Sequence, residues 1–270
     1  MKRAIVLGGL AAALAGAQPA AAQATLGWDV PLFSSYVWRG LTLSGKPVIE
    51  PDLYLTVPLG KASLTAGGWT NIELGQYDGG TISEGGGQSG PDLTEFDWWG
   101  EIGVPVGIAT VTGGVTGYIY PNNAGLTETS NTIEVYGKLA LSAPFNPKLS
   151  VYYDVDKVKG FYVEGGISHG IPLGTKSLTI GALAGFSNDM QPSSDPSANF
   201  AENGMTHVDL SASMGFSAGP LSITPVFHFV INNDDFTKAG NNGETNDTKI
   251  WGGVTLSWSK AFGGSEEKSE

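Results

Sequence analysis

The 270-residue sequence contains no cysteine, which excludes disulfide bonds, thiol chemistry and cysteine-ligated zinc. It is also poor in charge, since Asp, Glu, Lys and Arg together make up only 15% of the chain. Basic residues are the scarcer kind, with 14 Lys and Arg against 26 Asp and Glu. Such an acidic chain repels phosphate backbones, so we expect no nucleic-acid partner.

Apolar runs long enough for a spanning helix are also missing. Residues 1–24 carry Lys2 and Arg3, then an apolar run from Ala4 to Ala17, then small residues, which predicts a cleaved signal peptide. Pro19 ends that run before the roughly 20 residues that a spanning helix needs. If the mature chain lies in a membrane, it must therefore be a barrel, which we place at residues 25–262 with a polar tail at 263–270.

Glycine and proline are abundant, at 40 and 15 residues, and the segments between their clusters alternate with period two. In "TLGWDVPLFSSYVWRG" (25–40) one parity is apolar and the other holds Asp29 and Arg39. Ten strand residues span roughly 33 Å, and a tilt of about 40° shortens this to ~25 Å, the apolar height of an outer-membrane barrel. We predict one continuous lipid-facing strand here, whose aromatic girdle is Trp28, Tyr36 and Trp38.

The same period predicts eleven further strands and hence an all-β, 12-stranded antiparallel transmembrane β-barrel. They span residues 48–58, 62–74, 94–104, 108–120, 132–141, 149–156, 161–171, 177–186, 206–216, 221–231 and 248–258. Connections after even-numbered strands are short, whereas most of those after odd-numbered strands are long and polar. This asymmetry is typical of transmembrane barrels and has no reason to occur in a soluble β-sandwich, the alternative for alternating strands.

Every charge in the twelve segments falls on the parity opposite to the apolar one, which predicts an acidic lumen. Its carboxylates are Asp29, Glu50, Asp52, Glu73, Glu95, Asp97, Glu101, Glu134, Asp154, Glu164 and Asp209, and its bases are Arg39, Lys138 and Lys249. Glu95, Asp97 and Glu101 share one strand face and are candidates to bind a cation or set charge selectivity. Arg39 either lines a constriction or bridges carboxylates in a structural network.

Large aromatic side chains share the inward parity with these charges. They are Tyr54, Trp69, Trp99, Tyr136, Tyr152, Tyr162 and Trp251. Two roles remain open for them: stacking on sugars or nucleobases, or bracing the wall by cross-strand packing. A bulge near Gly67 and Gly68 would turn Trp69 outward.

The stretch "SSYVWRGLTLSGKP" (34–47) resembles the opening of the TorF-like family of outer-membrane porins, whose first strand bears a Ser-x-Tyr-Val-x-Arg-Gly motif. The stretches "YIYP" (118–121), "IEVYGKL" (133–139), "KLSVYYDVD" (148–156) and "YVEGGISHGIPLG" (162–174) look like later strands of that family, in the same order. The resemblance covers most of the mature chain and implies a barrel with a pore, without naming a substrate.

We therefore expect a porin-like channel in the outer membrane of a Gram-negative bacterium, surrounded by lipid and passing small hydrophilic solutes, with a preference for cations. One alternative is a closed structural or adhesive barrel that acts through its long loops. Another is a lipid esterase, which needs a Ser and His pair. The histidines are His169, His207 and His228, and no Gly-x-Ser-x-Gly motif occurs. We expect no catalytic residues, cofactor or metal.

Overall fold

The computed structural model describes residues 23–75, 91–121, 131–190, 200, 203–232 and 248–263. The predicted signal peptide lies outside the described residues except for its last two positions, and so does the polar tail except for Gly263. Within the described part of the chain there is no helix with the length and apolar character needed to cross a membrane. The described chain is built from β-strands and turns.

Sixteen strand segments follow one another along the chain. They are β1 (Ala24–Phe33), β2 (Tyr36–Trp38), β3 (Leu41–Ser44), β4 (Val48–Ile49), β5 (Asp52–Leu59), β6 (Ala62–Glu73), β7 (Asp92–Val106), β8 (Ala109–Ile119), β9 (Thr132–Leu141), β10 (Lys148–Asp154), β11 (Phe161–Leu173), β12 (Lys176–Asn188), β13 (Gly204–Met214), β14 (Phe216–Ala218), β15 (Leu221–Asn232) and β16 (Thr248–Phe262). β4 and β5 make one interrupted barrel strand, as do β13 and β14, while β2 and β3 pair only with each other.

Each barrel strand pairs antiparallel with its neighbours, and the last strand returns to the first. β16 pairs with β1 from Ala24↔Phe262 to Phe33↔Gly253. Closure leaves no free sheet edge, as a strand structure in a membrane requires. The predicted 12-stranded antiparallel barrel is confirmed, and every predicted segment overlaps one of its strands.

Two kinds of connection close the strands, and they lie on opposite rims. The short-turn rim carries residues 60–61, 107–108, 142–147, 174–175 and 219–220. In four of these turns the first residue is a glycine with φ between 61° and 66°, which suits the two-residue hairpin turn of type II′. The opposite, long-loop rim carries the turn at 155–160, the segment 34–47, and the strand ends that flank the four long connections, at residues 73 and 92, 119 and 132, 188 and 204, and 232 and 248.

The exterior of the barrel is apolar. Residues paired directly across two strands share one face, so the ladder extends each strand's alternation around the whole wall. Exposed exterior side chains include Leu53, Ile102 and Phe227. Aromatic pairs also lie on this face, with ring centroids 6.5 Å apart for Trp28 and Trp258 and 4.4 Å apart for Tyr153 and Phe161. This surface matches a hydrocarbon environment.

The prediction of one continuous strand over residues 25–40 is wrong. β1 ends at Phe33, where the Ser34 N–H donates to the Gly252 carbonyl and the Gly252 N–H donates to the Ser34 hydroxyl. Beyond this point the chain leaves the wall. Tyr36 and Trp38 therefore do not belong to the lipid-facing girdle, although their spacing continues the alternation. Trp28 stays on the exterior wall.

Replacement of Leu210 by Arg should lower the free energy of unfolding in lipid vesicles by about 2–4 kcal/mol, because it places a charge near the bilayer midplane. Leu210 is 42% exposed on the exterior and lies in the middle of β13. Its neighbour Ser211 faces the interior, so Ser211→Arg should cost far less. Urea titration followed by tryptophan fluorescence measures both. Equal losses would contradict the assignment of faces.

Candidate functional site

A β-hairpin formed by β2 and β3 folds into the barrel interior at the long-loop rim. Its turn is Arg39-Gly40, between the paired residues Trp38 and Leu41. Both turn residues have positive φ, 50° and 83°, as a two-residue turn of type I′ requires. Gly40 lies against the His207 ring. A Cβ on residue 40 would stand 2.5 Å from His207 Cγ, so a larger residue would not fit there.

One side of the hairpin contacts strands β6 and β7. The Tyr36 hydroxyl donates to the Glu95 carboxylate at 2.9 Å, and the ring centroids of Tyr36 and Trp69 are 5.6 Å apart. Burial, and next the negative charge of Glu95, raise the pKa of the Tyr36 hydroxyl well above its ordinary value. Tyr36 therefore remains a hydrogen-bond donor to the wall.

The tip of the hairpin is fixed by Arg39 on the opposite wall. Its two terminal nitrogens donate to the two carboxylate oxygens of Glu134 at 2.8 and 2.7 Å. The guanidinium carbon lies 4.4, 4.7 and 4.3 Å from the ring centroids of Trp38, Tyr152 and Tyr162. A bidentate ion pair inside an aromatic cage is among the strongest contacts that arginine makes.

A buried apolar cluster seals the hairpin against the wall. It consists of Leu41, Tyr162, Met190 and Phe200, with Trp38 packed against it. The Phe200 ring stacks on Tyr162, with centroids 6.1 Å apart and planes at 8°. The hairpin thus reaches across the long-loop half of the lumen, from β6 and β7 to β11 and β13.

The ladder register places the predicted lumen carboxylates on the interior face. They fall into two groups, one buried and one partly exposed to solvent. Glu95, Glu134 and Glu73 are 3%, 2% and 1% exposed, and Glu50 and Asp97 are buried nearby. Asp154 is also buried. The turn that follows it folds over its side chain, and the backbone N–H groups of residues 156, 158 and 159 donate to one of its carboxylate oxygens. In this structure these six inward-facing side chains have little contact with water. Parity predicts the face of a side chain and not its contact with water.

The other predicted strand charges keep partial contact with solvent at several heights, with Lys138 and Glu101 in the short-turn half and Glu164 and Lys249 close to the long-loop ends of β11 and β16. Lys138 binds Glu101 at 3.0 Å, and their side chains are 38% and 26% exposed although both face inward. Half-buried positions also include Asp52, Glu164, Asp209 and Lys249. Between them the interior carries small hydroxyl residues such as Thr65 and Thr112. In the short-turn half, inward-facing side chains are thus partly exposed.

Arg39 reaches the lumen by a different route from the predicted one. The alternation places it on the first barrel strand, whereas the structure places it at the tip of the hairpin. Of the two roles left open, the bridging role matches the observed contact with Glu134.

The large interior aromatic residues lie along the wall and pack on one another. Tyr54 pairs with Trp99 at 6.4 Å, Tyr136 with Tyr152 at 5.7 Å, and Trp251 stacks on His228 at 4.0 Å. Rings of Tyr54, Trp99 and Tyr136 cover glycines of the neighbouring strands, namely Gly27, Gly67 and Gly114. A ring laid over a glycine stays close to the wall and leaves the middle of the lumen clear. Trp69 also faces inward, since it pairs with Asp52 and Asp97.

Gly114→Val should destabilise the barrel by about 1–3 kcal/mol, because the new side chain collides with the Tyr136 ring and forces it off the wall. The hydrogen bond from Tyr136 to Glu101, 2.9 Å long, would then break. Gly113→Val is the matched control, since nothing lies within 4 Å of a Cβ at that position. Thermal unfolding of both variants measures the difference. A Gly113 variant that loses as much stability would exclude the ring contact as the cause.

The three histidines occupy separate places. His169 lies on the exterior near the short-turn rim, with its ring centroid 5.5 Å from that of Phe145. His207 Nδ1 bonds with the Thr206 hydroxyl at 2.9 Å, and His228 Nδ1 bonds with Asp209 at 2.8 Å. Among the residues with a described position, no group of three or more His, Asp or Glu side chains is arranged to hold a metal ion.

Several solved barrels have a similar architecture. The COG4313 outer membrane channel from Pseudomonas putida F1 shares 11% identity and a TM-score of 0.47, over 91% of this chain and 97% of that one. The translocator domain of autotransporter NalP from Neisseria meningitidis shares 8% identity and a TM-score of 0.38, over 93% and 94%. For OccK8 (OprE) from Pseudomonas aeruginosa the values are 11%, 0.33, 83% and 72%.

A comparison with curated proteins finds no match. A family model matches residues 17–223, which is well over half of the chain and includes both the hairpin and the strands that it contacts. That model does not carry the TorF-like name, so the resemblance to TorF-like porins stays an expectation. By this match the chain belongs to the family described as "Bacterial protein of unknown function (Gcw_chp)".

Proposed function

We propose that the chain is a porin-like channel in the outer membrane of a Gram-negative bacterium, passing small hydrophilic solutes by diffusion and carrying out no catalysis. One observation carries this proposal. The interior side chains of Lys138 and Glu101, three and five residues from the short-turn ends of β9 and β7, are 38% and 26% exposed. In a barrel filled by its own side chains, inward charges at this level would be buried.

The hairpin is the constriction of this channel. It crosses the long-loop half, so a solute must pass beside it or displace it, as ions and substrates pass the narrow zones of other channels. The remaining half offers hydroxyl groups and half-exposed charges to the solute. Such a lining suits hydrated, polar molecules.

A closed structural or adhesive barrel is the second candidate, and the hairpin favours it. The cluster of Leu41, Tyr162 and Phe200 seals the hairpin against the wall, and it includes three of the most buried side chains. Planar-bilayer recording of the purified mature chain separates the two functions. Discrete conductance steps support the channel, whereas inserted protein without steps supports the closed barrel.

Single cysteines give this test a structural control, because the natural sequence has none. Ser211 pairs with Gly181 and His228 on the interior face, whereas Ala212 pairs with Ile180 and Phe227 on the exterior. A bulky water-soluble thiol reagent should lower the conductance of Ser211→Cys and leave that of Ala212→Cys unchanged. Equal sensitivity would place the conducting path outside this lumen.

We further propose that the channel prefers cations. Asp29 and Asp52 are direct cross-strand partners near mid-barrel, where both are partly exposed, and the low-dielectric wall concentrates their field in the lumen. Neutralising both to Asn should reduce the reversal potential measured across a KCl gradient, most strongly at low salt, where screening is weakest.

Glu95→Gln is the matched control for this prediction, since Glu95 lies beneath the hairpin and its replacement still accepts the Tyr36 hydrogen bond. The control should change the reversal potential less. Anion preference in the unmodified protein would contradict the proposal directly.

A further inference from the structure

The contacts around Arg39 form a binding site for a guanidinium group. Four consecutive strands each contribute one side chain to it, namely Tyr118 from β8, Glu134 from β9, Tyr152 from β10 and Tyr162 from β11. The hairpin contributes only Trp38 and Arg39 itself. Most of the site therefore belongs to the fixed wall and does not depend on where the hairpin lies.

The geometry of this wall matches a planar fork of donors. Both Glu134 oxygens accept from Arg39, and Glu134 Oε2 also accepts from the Tyr118 hydroxyl at 2.7 Å, which fixes the orientation of the carboxylate. Tyr152 and Tyr162 lie against the guanidinium at 4.7 and 4.3 Å. The two oxygens of this carboxylate can accept two parallel hydrogen bonds. A compact ammonium ion has no pair of parallel donors, so it would bond one oxygen at a time.

We propose that this wall is a binding site for solutes that carry a guanidinium group, and that Arg39 occupies it as an internal ligand. A solute of this class competes with Arg39 for Glu134 and for the Tyr152 and Tyr162 rings, and so releases the hairpin tip. This inference names a class of solute for the proposed channel. Only the passage of such solutes through the barrel rests on the proposed function. Binding itself does not require conduction.

Arg39→Ala empties the site and makes it available to methylguanidinium. Calorimetry on the detergent-solubilised full chain should show about tenfold or tighter binding of methylguanidinium than of methylammonium at equal ionic strength, because only the former bonds both carboxylate oxygens. Adding Glu134→Gln should abolish this preference, whereas Glu101→Gln, at an accessible carboxylate outside the cage, should leave it intact. No binding, equal binding of the two cations, or a preference that survives Glu134→Gln would each overturn the proposal.

A second measurement uses the chain with Arg39 intact, and it tests the proposal even if the Arg39→Ala chain fails to form the barrel. Ser35 lies at the base of the hairpin and is 3% exposed, so Ser35→Cys reports whether the hairpin is seated. With Arg39 intact, rising methylguanidinium should accelerate modification of this cysteine several-fold over the same concentration of methylammonium. Identical rates would overturn the proposal. Preferential binding without conductance would leave this site standing and refute the channel alone.

Discussion

Excision of the hairpin, residues 36–44, with a Gly-Ser bridge in its place, should raise the single-channel conductance several-fold. The hairpin crosses the long-loop half of the lumen, and the electrical resistance of a pore falls as its narrowest section widens. Every barrel strand remains, since β2 and β3 pair only with each other. Planar-bilayer recording at fixed KCl concentration measures the change.

Ser35→Cys controls for perturbation at the base of the hairpin and should conduct like the natural chain. An excised protein that inserts and conducts no better than the natural one would show that the constriction lies elsewhere. An excised protein that first acquires conductance steps would mean that the hairpin is a plug and the resting barrel is closed.

The wall of the barrel could be predicted because two physical constraints act on every strand at once. Each strand contacts lipid on one face and the lumen on the other, so period two fixes the direction of each side chain. Trp69 illustrates this: its parity points inward despite the glycines before it, and it pairs with Asp52 and Asp97 as the alternation requires. Closure follows, because strands in a membrane leave no edge unpaired.

The hairpin could not be predicted from the same pattern, because alternation does not specify which strand is the partner. Tyr36 and Trp38 continue the alternation of β1, although they pair with β3. The available signal was the Arg39-Gly40 turn between two alternating runs, which is weaker than the Asn-Gly and Asp-Gly pairs that mark most such turns. Glu95 and Glu134 are buried by their contacts with the hairpin. Their burial therefore could not be predicted from the sequence either.

Individual side-chain contacts in the interior could not be predicted from the sequence either. Tyr118 occurs in "YIYP" on the inward parity, but its bond to Glu134 depends on the register of β8 against β9. Phe200 lies in a long connection, and no periodicity predicts that it packs on Tyr162 and Trp38. Such residues are recognisable only once the hairpin is known to enter the lumen.

Glu134→Ala should unseat the hairpin, because it leaves the Arg39 guanidinium buried without its counter-charge. Removing one partner of a buried ion pair costs roughly 3–5 kcal/mol, which corresponds to an increase in hairpin opening of about a hundredfold to several thousandfold. The modification rate of Ser35→Cys by a water-soluble maleimide measures that opening in the otherwise cysteine-free chain. Glu101→Ala is the matched control, since the half-exposed pair of Glu101 with Lys138 contributes about 0–1 kcal/mol.

The double replacement Arg39→Ala with Glu134→Ala decides between charge and packing. It removes both buried charges and leaves the contacts of Trp38 with Phe200, with ring centroids 6.1 Å apart, so opening should fall back by about tenfold from the Glu134→Ala level. A double variant that opens as often as Glu134→Ala would mean that the uncompensated guanidinium is not what drives the hairpin out. The apolar cluster would then be what holds the hairpin in the lumen, and the ion pair would fix only the position of the hairpin tip.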